Sequence, residues 1–362
     1  MVQEIKATSG KKQQHSQELR GKVIAVQANY YQVLLDQEFE VSKKHLLCTR
    51  RSRLKKIGQK VMVGDHVIVA EADYIDSRGV IAEVLPRRNE LERPPVANAE
   101  QILLIFALEQ PKLDPHQLSR FLVKAESTNL NICLCFNKAD LVSVAEQQKW
   151  QNRLEKWGYQ PVFTSLVTQQ GLEELVEKLQ QQISIVAGPS GVGKSSLINQ
   201  LIPDLQLRIG AVSGKLNRGR HTTRHVELFE LPKGGWLADT PGFNQPDLHC
   251  QPQDLIQYFP EARAKLKHSG CHFSNCLHRD EPNCAVRGDW ERYEHYLRFL
   301  DQVIVQKKLQ QQKPDQESNV KLKIGRSGEQ NYEPRLESKK YRRLSRRFRH
   351  QTVQEFDLDE EE

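Results

Sequence analysis

The sequence predicts a three-part chain: an amino-terminal OB-like β-barrel, a central α/β P-loop domain with a mostly parallel sheet, and a cysteine-bearing, mostly helical domain ahead of a polar tail. Three observations predict it. Short alternating apolar runs separated by turn signals fill residues 21–85. Apolar strands alternate with helical patterns from about Gln101 to Ala187. From about Gln251 the apolar periodicity weakens and three cysteines cluster.

Length and composition allow this. The chain has 362 residues, enough for two or three domains, and its 38% hydrophobic content suffices for ordinary cores. No apolar run approaches the ~18 residues that span a bilayer, and the polar stretch 1–20 has no signal-peptide h-region. Cytoplasmic residence with no membrane partner is therefore expected, and separately a monomer. The formal net charge of +7 biases it weakly toward polyanions.

The barrel is expected over residues 21–90, with strands at Lys22 to Leu35, Phe39 to Val41, His66 to Ala70 and Val80 to Val84, and a turn at Val63-Gly64-Asp65. Its basic segment Arg50-Arg51-Ser52-Arg53-Leu54-Lys55-Lys56 has two readings, a solvated loop or a nucleic-acid contact. Pro86 to Pro95 reads as a linker.

The α/β domain is expected over residues 96–248. Strands fall at Gln101 to Leu108, Asn131 to Phe136 and Ile183 to Ala187, and helices at His116 to Glu126 and Leu172 to Gln182. Its strongest motif is Gly188-Pro189-Ser190-Gly191-Val192-Gly193-Lys194-Ser195, a complete G-x-x-x-x-G-K-[ST] between a strand and a helix. The glycines let backbone N–H groups turn toward phosphates, Lys194 bridges the outer phosphates, and Ser195 holds Mg2+. Ser196 follows at the helix start and belongs to the same nucleotide-binding set.

Asn137-Lys138-Ala139-Asp140, an N-K-x-D, directly follows a strand end, where ligands of parallel sheets gather. A carboxylate at Asp140 accepts from both N1–H and the N2 amino group of guanine, a donor pair adenine lacks, so GTP is the expected nucleotide. Thr164-Ser165-Leu166 supplies backbone that could support the base. Asp239-Thr240-Pro241-Gly242 gives a D-x-x-G in which Asp239 reaches the magnesium through water and the Gly242 amide senses the γ-phosphate.

Between these motifs lies Gly219-Arg220-His221-Thr222-Thr223-Arg224, suited to a switch loop. A threonine here completes the magnesium shell; spacing does not decide between Thr222 and Thr223, and Thr223 is preferred. Phe243 stands where many GTPases place a water-orienting glutamine. His221 is the available substitute, its alternative reading being a solvated loop histidine.

Residues 249–311 form the expected third domain, with a helix over roughly Trp290 to Leu309. Cys271, Cys276, His278 and Cys284 offer three thiolates and an imidazole, the ligand set of a closed tetrahedral zinc site with one structural ion per chain. His272 is an alternative fourth ligand. The tail, 312–362, is basic over Lys339 to His350 and acidic over Asp357 to Glu362.

Because N-K-x-D at Asn137 precedes the P-loop at Gly188, the motif order is the reverse of that in ordinary GTPases. Together the motifs resemble the circularly permuted GTPases, and within them the family acting in small ribosomal subunit biogenesis. The resemblance covers about Gly21 to Leu300: barrel, permuted GTPase domain, Cys-Cys-His-Cys zinc domain, the segment Arg87 to Pro95 and the switch segment His221-Thr222-Thr223. It does not account for the tail from Lys313. It implies hydrolysis of GTP to GDP, stimulated by the small ribosomal subunit, in late maturation of that subunit. Contact with RNA follows more generally from an OB barrel with a basic loop and a basic tail, and the resemblance implies that this RNA is rRNA.

If His221 positions the hydrolytic water, His221→Ala lowers kcat by roughly 10²-fold with GTP affinity nearly unchanged. Single-turnover hydrolysis with and without small subunits checks this. A loss confined to the subunit-bound reaction marks an RNA contact, and normal rates in both return His221 to a solvated loop.

Overall fold

The computed structural model describes residues 19–36, 45–92, 94–205, 226–239, 247–312, 320–324 and 330–334, in two units divided after Ile304. The strand expected over Phe39 to Val41 and the basic and acidic tail stretches lie outside the described residues.

The barrel comprises β1 (Leu19–Gln27), β2 (Tyr30–Leu35), β3 (His45–Arg50), α1 (Ser52–Lys56), β4 (His66–Asp73) and β5 (Arg78–Val84). The strands close in the order β1-β2-β3-β5-β4-β1, with β3 and β5 parallel and the other pairs antiparallel. Inward positions such as Val23, Val33, Leu46, Val67 and Ile81 are fully buried in one core cluster. The run expected as one strand, Lys22 to Leu35, is a hairpin that turns at Ala28-Asn29. The basic segment is a short helix rather than a loop, because Leu54, 5% exposed, anchors it to the barrel core.

Residues 86–95 are also not a free linker. Arg87 donates to both carboxylate oxygens of Asp65, at 2.7 and 2.9 Å, and to the Lys60 carbonyl at 2.7 Å. The Asp65 side chain is fully buried and also accepts from Met62 N–H at 2.7 Å. A hairpin of β6 (Glu90–Glu92) and β7 (Pro95–Ala97) follows.

The α/β domain runs β8 (Gln101–Ala107), α2 (Pro115–Glu126), β9 (Asn131–Asn137), α3 (Val144–Trp157), β10 (Pro161–Phe163), α4 (Leu172–Leu179), β11 (Ile183–Ala187), α5 (Lys194–Leu201), β12 (Glu227–Glu230) and β13 (Trp236–Asp239). Its order is β10-β9-β8-β11-β13-β12, parallel except for β12. Every residue of β8 is buried, as a central strand covered on both faces requires. Ile102, Leu104 and Phe106 pack with Leu118, Phe121 and Trp157 of α2 and α3, whereas Leu103, Ile105 and Ala107 pack with Leu175, Leu179 and Leu197 of α4 and α5. The helices are locally encoded: Asp114 caps α2 through His116 N–H at 2.9 Å, and Ser143 caps α3 through Glu146 N–H at 3.2 Å.

The two sheets are continuous, since Ala25 of β1 pairs with Glu227 of β12. Between Val23 and Ala25 the β1–β2 register shifts, a bulge that sends Val23 into the barrel core and Ile24 into the α/β core.

The cysteine-bearing region contains α6 (Pro260–His268) and α7 (Tyr293–Gln312) around Phe259, Tyr296, Phe299 and Leu300, with Val123 of α2 completing the cluster. Arg292 is fully buried, ion-paired with Glu261 through Nε at 2.6 Å and Nη2 at 2.5 Å, and faces the rings of Trp157 at 4.8 Å and Phe259 at 4.9 Å. In the second unit, β14 (Val320–Ile324) and β15 (Gln330–Pro334) form an antiparallel hairpin. Among the described residues no helix is long and apolar enough to cross a membrane.

Removing one partner of a buried ion pair strands the other charge. Arg87→Ala is therefore expected to lower unfolding free energy by about 3 kcal/mol, measured by denaturant titration.

Candidate functional site

The nucleotide site forms where three parallel strands end side by side. Ala107 of β8 pairs with Asn137 of β9, and Leu104 of β8 pairs with Ala187 of β11, so N-K-x-D and the glycine loop emerge from one edge of the sheet. Asn137, 2% exposed, donates from Nδ2 to the Val192 carbonyl at 3.0 Å, and its Oδ1 accepts from Thr164 Oγ1 at 3.4 Å. Lys138 adopts a left-handed backbone, φ 58°, and its ammonium donates to the Gly191 carbonyl at 2.8 Å and to the Gln110 carbonyl. The two motifs are thus bonded to each other although Gly191 lies 53 positions after Lys138 in the chain.

Asp140 is exposed, and one carboxylate oxygen accepts from Ser165 Oγ at 2.5 Å. Ser165 is in turn held by the N–H groups of Val167 and Thr168, each at 3.2 Å. The Ala139 N–H bonds the Thr164 carbonyl at 3.0 Å, tying the two base-side loops together. Sequence reasoning gave Thr164-Ser165-Leu166 only a backbone role; the Ser165 side chain and the Gln110 carbonyl depend on chain folding and carried no local signal.

The glycine loop requires its glycines. Gly188 sits at φ +141°, where a Cβ would lie 2.0 Å from the Ile105 carbonyl oxygen. Gly193, at φ +90°, would put one 2.5 Å from Asn137 Nδ2. Lys194 opens α5 and donates from Nζ to the carbonyls of Gly188 at 2.9 Å and Pro189 at 2.6 Å. Pro189 is buried, Ser190 and Gly191 are exposed, and Ser195 and Ser196 are half-buried in the first turn of α5. Asp239 ends β13 beside β11, paired with Val186. Its side chain, together with His221, Thr222, Thr223, Gly242 and Phe243, lies outside the described residues.

Cys271, Cys276, His278 and Cys284 converge, their ligand atoms all within 4.8 Å of one another. His278 Nδ1 lies 3.4, 3.6 and 3.3 Å from the three sulfurs, and Cys271 Sγ lies 3.9 Å from Cys284 Sγ. Tetrahedral zinc, with Zn–S ~2.3 Å and Zn–N ~2.0–2.1 Å, sets S···N near ~3.6 Å and S···S near ~3.8 Å. The set fits a four-coordinate metal ion. His272 is exposed against Phe273 and outside the group.

Outer groups hold the ligand loop. Glu281 accepts from the N–H groups of Leu277, Arg279 and Asp280 at 2.7, 2.9 and 3.1 Å. Burial works against its charge, but these bonds prevail and hold the carboxyl down to about 2. From α7, Tyr293 and Tyr296 donate to the carbonyls of His278 at 2.8 Å and Leu277 at 2.6 Å.

A glycine loop bonded to N-K-x-D that precedes it in the chain defines a circularly permuted P-loop GTPase. Comparison with known proteins agrees. Residues 84–249 match the RsgA GTPase family. A protein of Trichormus variabilis named small ribosomal subunit biogenesis GTPase RsgA is 58% identical over 363 residues, covering 95% of this chain and 98% of that one. Among solved structures, YjeQ from Thermotoga maritima superposes with TM-score 0.67 at 33% identity, covering 80% of this chain and 99% of that one. YloQ, described as a circularly permuted GTPase, gives TM-score 0.66 at 32% identity, covering 82% and 99%. The chain belongs to the RsgA GTPase family and is a GTP-hydrolysing enzyme.

Because outer-layer partners orient metal ligands, Glu281→Ala is expected to weaken metal affinity about tenfold. Competition with a chromophoric chelator reads this directly.

Proposed function

We propose that this protein hydrolyses GTP on the small ribosomal subunit, that the subunit stimulates turnover, and that the cycle serves late maturation of that subunit in the cytoplasm. The observation carrying the reading is the bonding of Asn137 and Lys138 to the carbonyls of Val192 and Gly191, which gives one composite site for base and phosphates. The ribosomal subunit comes from the names of the relatives.

In this reading Asp140 accepts from the guanine N1–H and amino group, oriented by Ser165. The loop Gly188 to Gly193 wraps the phosphates with its N–H groups, and Lys194 exchanges its loop carbonyls for phosphate oxygens. Ser195 and Thr223 would hold Mg2+, with Asp239 acting on it through water, the Gly242 amide would serve the γ-phosphate, and His221 would orient the attacking water. Zinc held by Cys271, Cys276, His278 and Cys284 supplies structural cross-linking of its loop and no reaction step. The exposed side chains of Arg51, Arg53, Lys55 and Lys56 on the barrel attract rRNA phosphates.

The test is GTP turnover with and without purified small subunits. A clear rise on their addition is expected; identical rates would overturn the ribosomal reading. Asp140→Asn should lose GTP affinity by about 10²-fold and favour xanthosine triphosphate, whose extra carbonyl accepts from an amide. Equal GTP affinity in nucleotide titrations of wild type and variant would remove Asp140 from base recognition.

A further inference from the structure

Asp140 stands on a short support. The 3₁₀ turn Ala139–Leu141 that carries it is a single turn, whose internal hydrogen bonds are poorer than those of an α-helix. Its position is therefore set from outside. The Ala139 N–H donates to the Thr164 carbonyl at 3.0 Å, and the Ser165 hydroxyl donates to one Asp140 oxygen at 2.5 Å. A further bond comes from α3, where Gln147 donates from Nε2 to the Ala139 carbonyl at 3.0 Å. That carbonyl shares its planar peptide unit with the Asp140 N–H, so holding it holds the plane from which the Asp140 Cα departs.

Gln147 is itself firmly seated in the first turn of α3. The Ser143 carbonyl accepts from the Glu146 and Gln147 N–H groups, each at 3.0 Å, and the Ser143 hydroxyl caps the Glu146 N–H. Helical side chains lean toward the amino terminus of their helix, which turns Gln147 back onto the loop it follows. The other side of its amide is engaged too: Oε1 accepts from Gln170 Nε2 at 3.2 Å, and the Gln170 carbonyl accepts from the Ser165 N–H at 3.1 Å. One side chain thus bonds the N-K-x-D loop directly and the Ser165 loop through Gln170. The Ala139 carbonyl also accepts from the Val142 N–H at 3.3 Å, so Gln147 is not needed to satisfy it. What Gln147 adds is orientation.

We propose that Gln147 is a positioning residue for guanine recognition, holding the Ala139–Asp140 peptide and the Ser165 loop where the Asp140 carboxylate meets N1–H and the 2-amino group together. The inference rests on the reading of Asp140 as the guanine acceptor and deepens it. A carboxylate accepting two parallel bonds needs both oxygens set, and Ser165 sets one. Rotation of the carboxylate out of the base plane weakens both bonds, because hydrogen bonds fall off with angle. Hypoxanthine keeps N1–H and lacks the 2-amino group, so it has less to lose. The bond from Gln170 is exposed and contributes less than the half-buried bond to Ala139.

The test is titration of the full chain with GTP and with inosine triphosphate, together with single-turnover hydrolysis at saturating GTP. Wild type is expected to bind GTP about tenfold more tightly than inosine triphosphate. Gln147→Ala should weaken GTP about fivefold and inosine triphosphate less than about twofold, with the saturated rate kept within about twofold. Gln147→Lys, which returns a donor, should recover most of the GTP affinity. Gln147→Glu, which sets a carboxylate against the Ala139 carbonyl, should not. Equal losses for the two nucleotides, or wild-type affinities in Gln147→Glu, overturn the role of Gln147. If Asp140→Asn abolishes the preference for GTP while Gln147→Ala retains it in full, Gln147 falls and Asp140 stands. A preference that survives Asp140→Asn overturns both.

Discussion

The candidate nucleotide site depends on β8, the strand hydrogen-bonded to β9 on one side and β11 on the other and buried along its whole length. Its two registers place the end of β9 and the end of β11 at one edge, within reach of Asn137 and Lys138. A parallel sheet is indifferent to the order in which its strands occur along the chain. Permutation therefore changes the connections and leaves the site, because the ligand-facing edge is set by lateral pairing. The left-handed Lys138 carries the local strain this convergence demands, offset by its bond to the Gly191 carbonyl, whereas Gly193 reaches its positive φ without cost because it has no Cβ.

A second constraint acts at β1, which belongs to two sheets. Its first half pairs with β4, most of its length with β2, and Ala25 with β12. The bulge at Ile24 lets one strand feed two cores, and Lys22 seals the junction over the Trp236 ring at 4.8 Å. Burial lowers the Lys22 pKa, against the opposing pull of Asp36, Glu100 and Glu230. In sequence β12 directly follows the segment carrying His221, Thr222 and Thr223, so the barrel is bonded to a strand adjoining the candidate switch.

The metal-ligand region is fastened by different chemistry. Arg292 is taken wholly out of water, with Glu261 neutralising it and aromatic faces covering it. Nearby, the His295 ring of α7 meets His116 of α2 at 5.2 Å. Burial first, then His116 and surrounding arginines, hold His295 down to about 4, so the contact is between neutral rings at neutral pH. The same α7 sends Tyr293 and Tyr296 to the carbonyls of His278 and Leu277, so one helix touches both α2 and the Cys/His cluster.

By itself the sequence determined what is local. The glycine loop needs residues without Cβ, the N-K-x-D needs a carboxylate and its neighbours, and three cysteines with His278 carry their ligand chemistry in their spacing. Strands β8, β9 and β11 were legible as apolar runs because burial on both faces removes most polar residues from them, whereas β12, with two glutamates in four residues, was not. The cap Ser143-Val144-Ala145-Glu146 was equally present in the sequence, although α3 was not singled out from it. Tertiary structure alone decided what depends on distant pairing. It made Ser52–Lys56 a helix because Leu54 finds the barrel core, and fixed the segment around Arg87 because Arg87 finds the buried Asp65. It chose His278 over His272 and brought Ser165 to Asp140. It also joined β1 to β12, residues about 200 positions apart whose pairing leaves no periodic trace, because a strand edge is selected by backbone hydrogen bonds that every residue but proline offers alike.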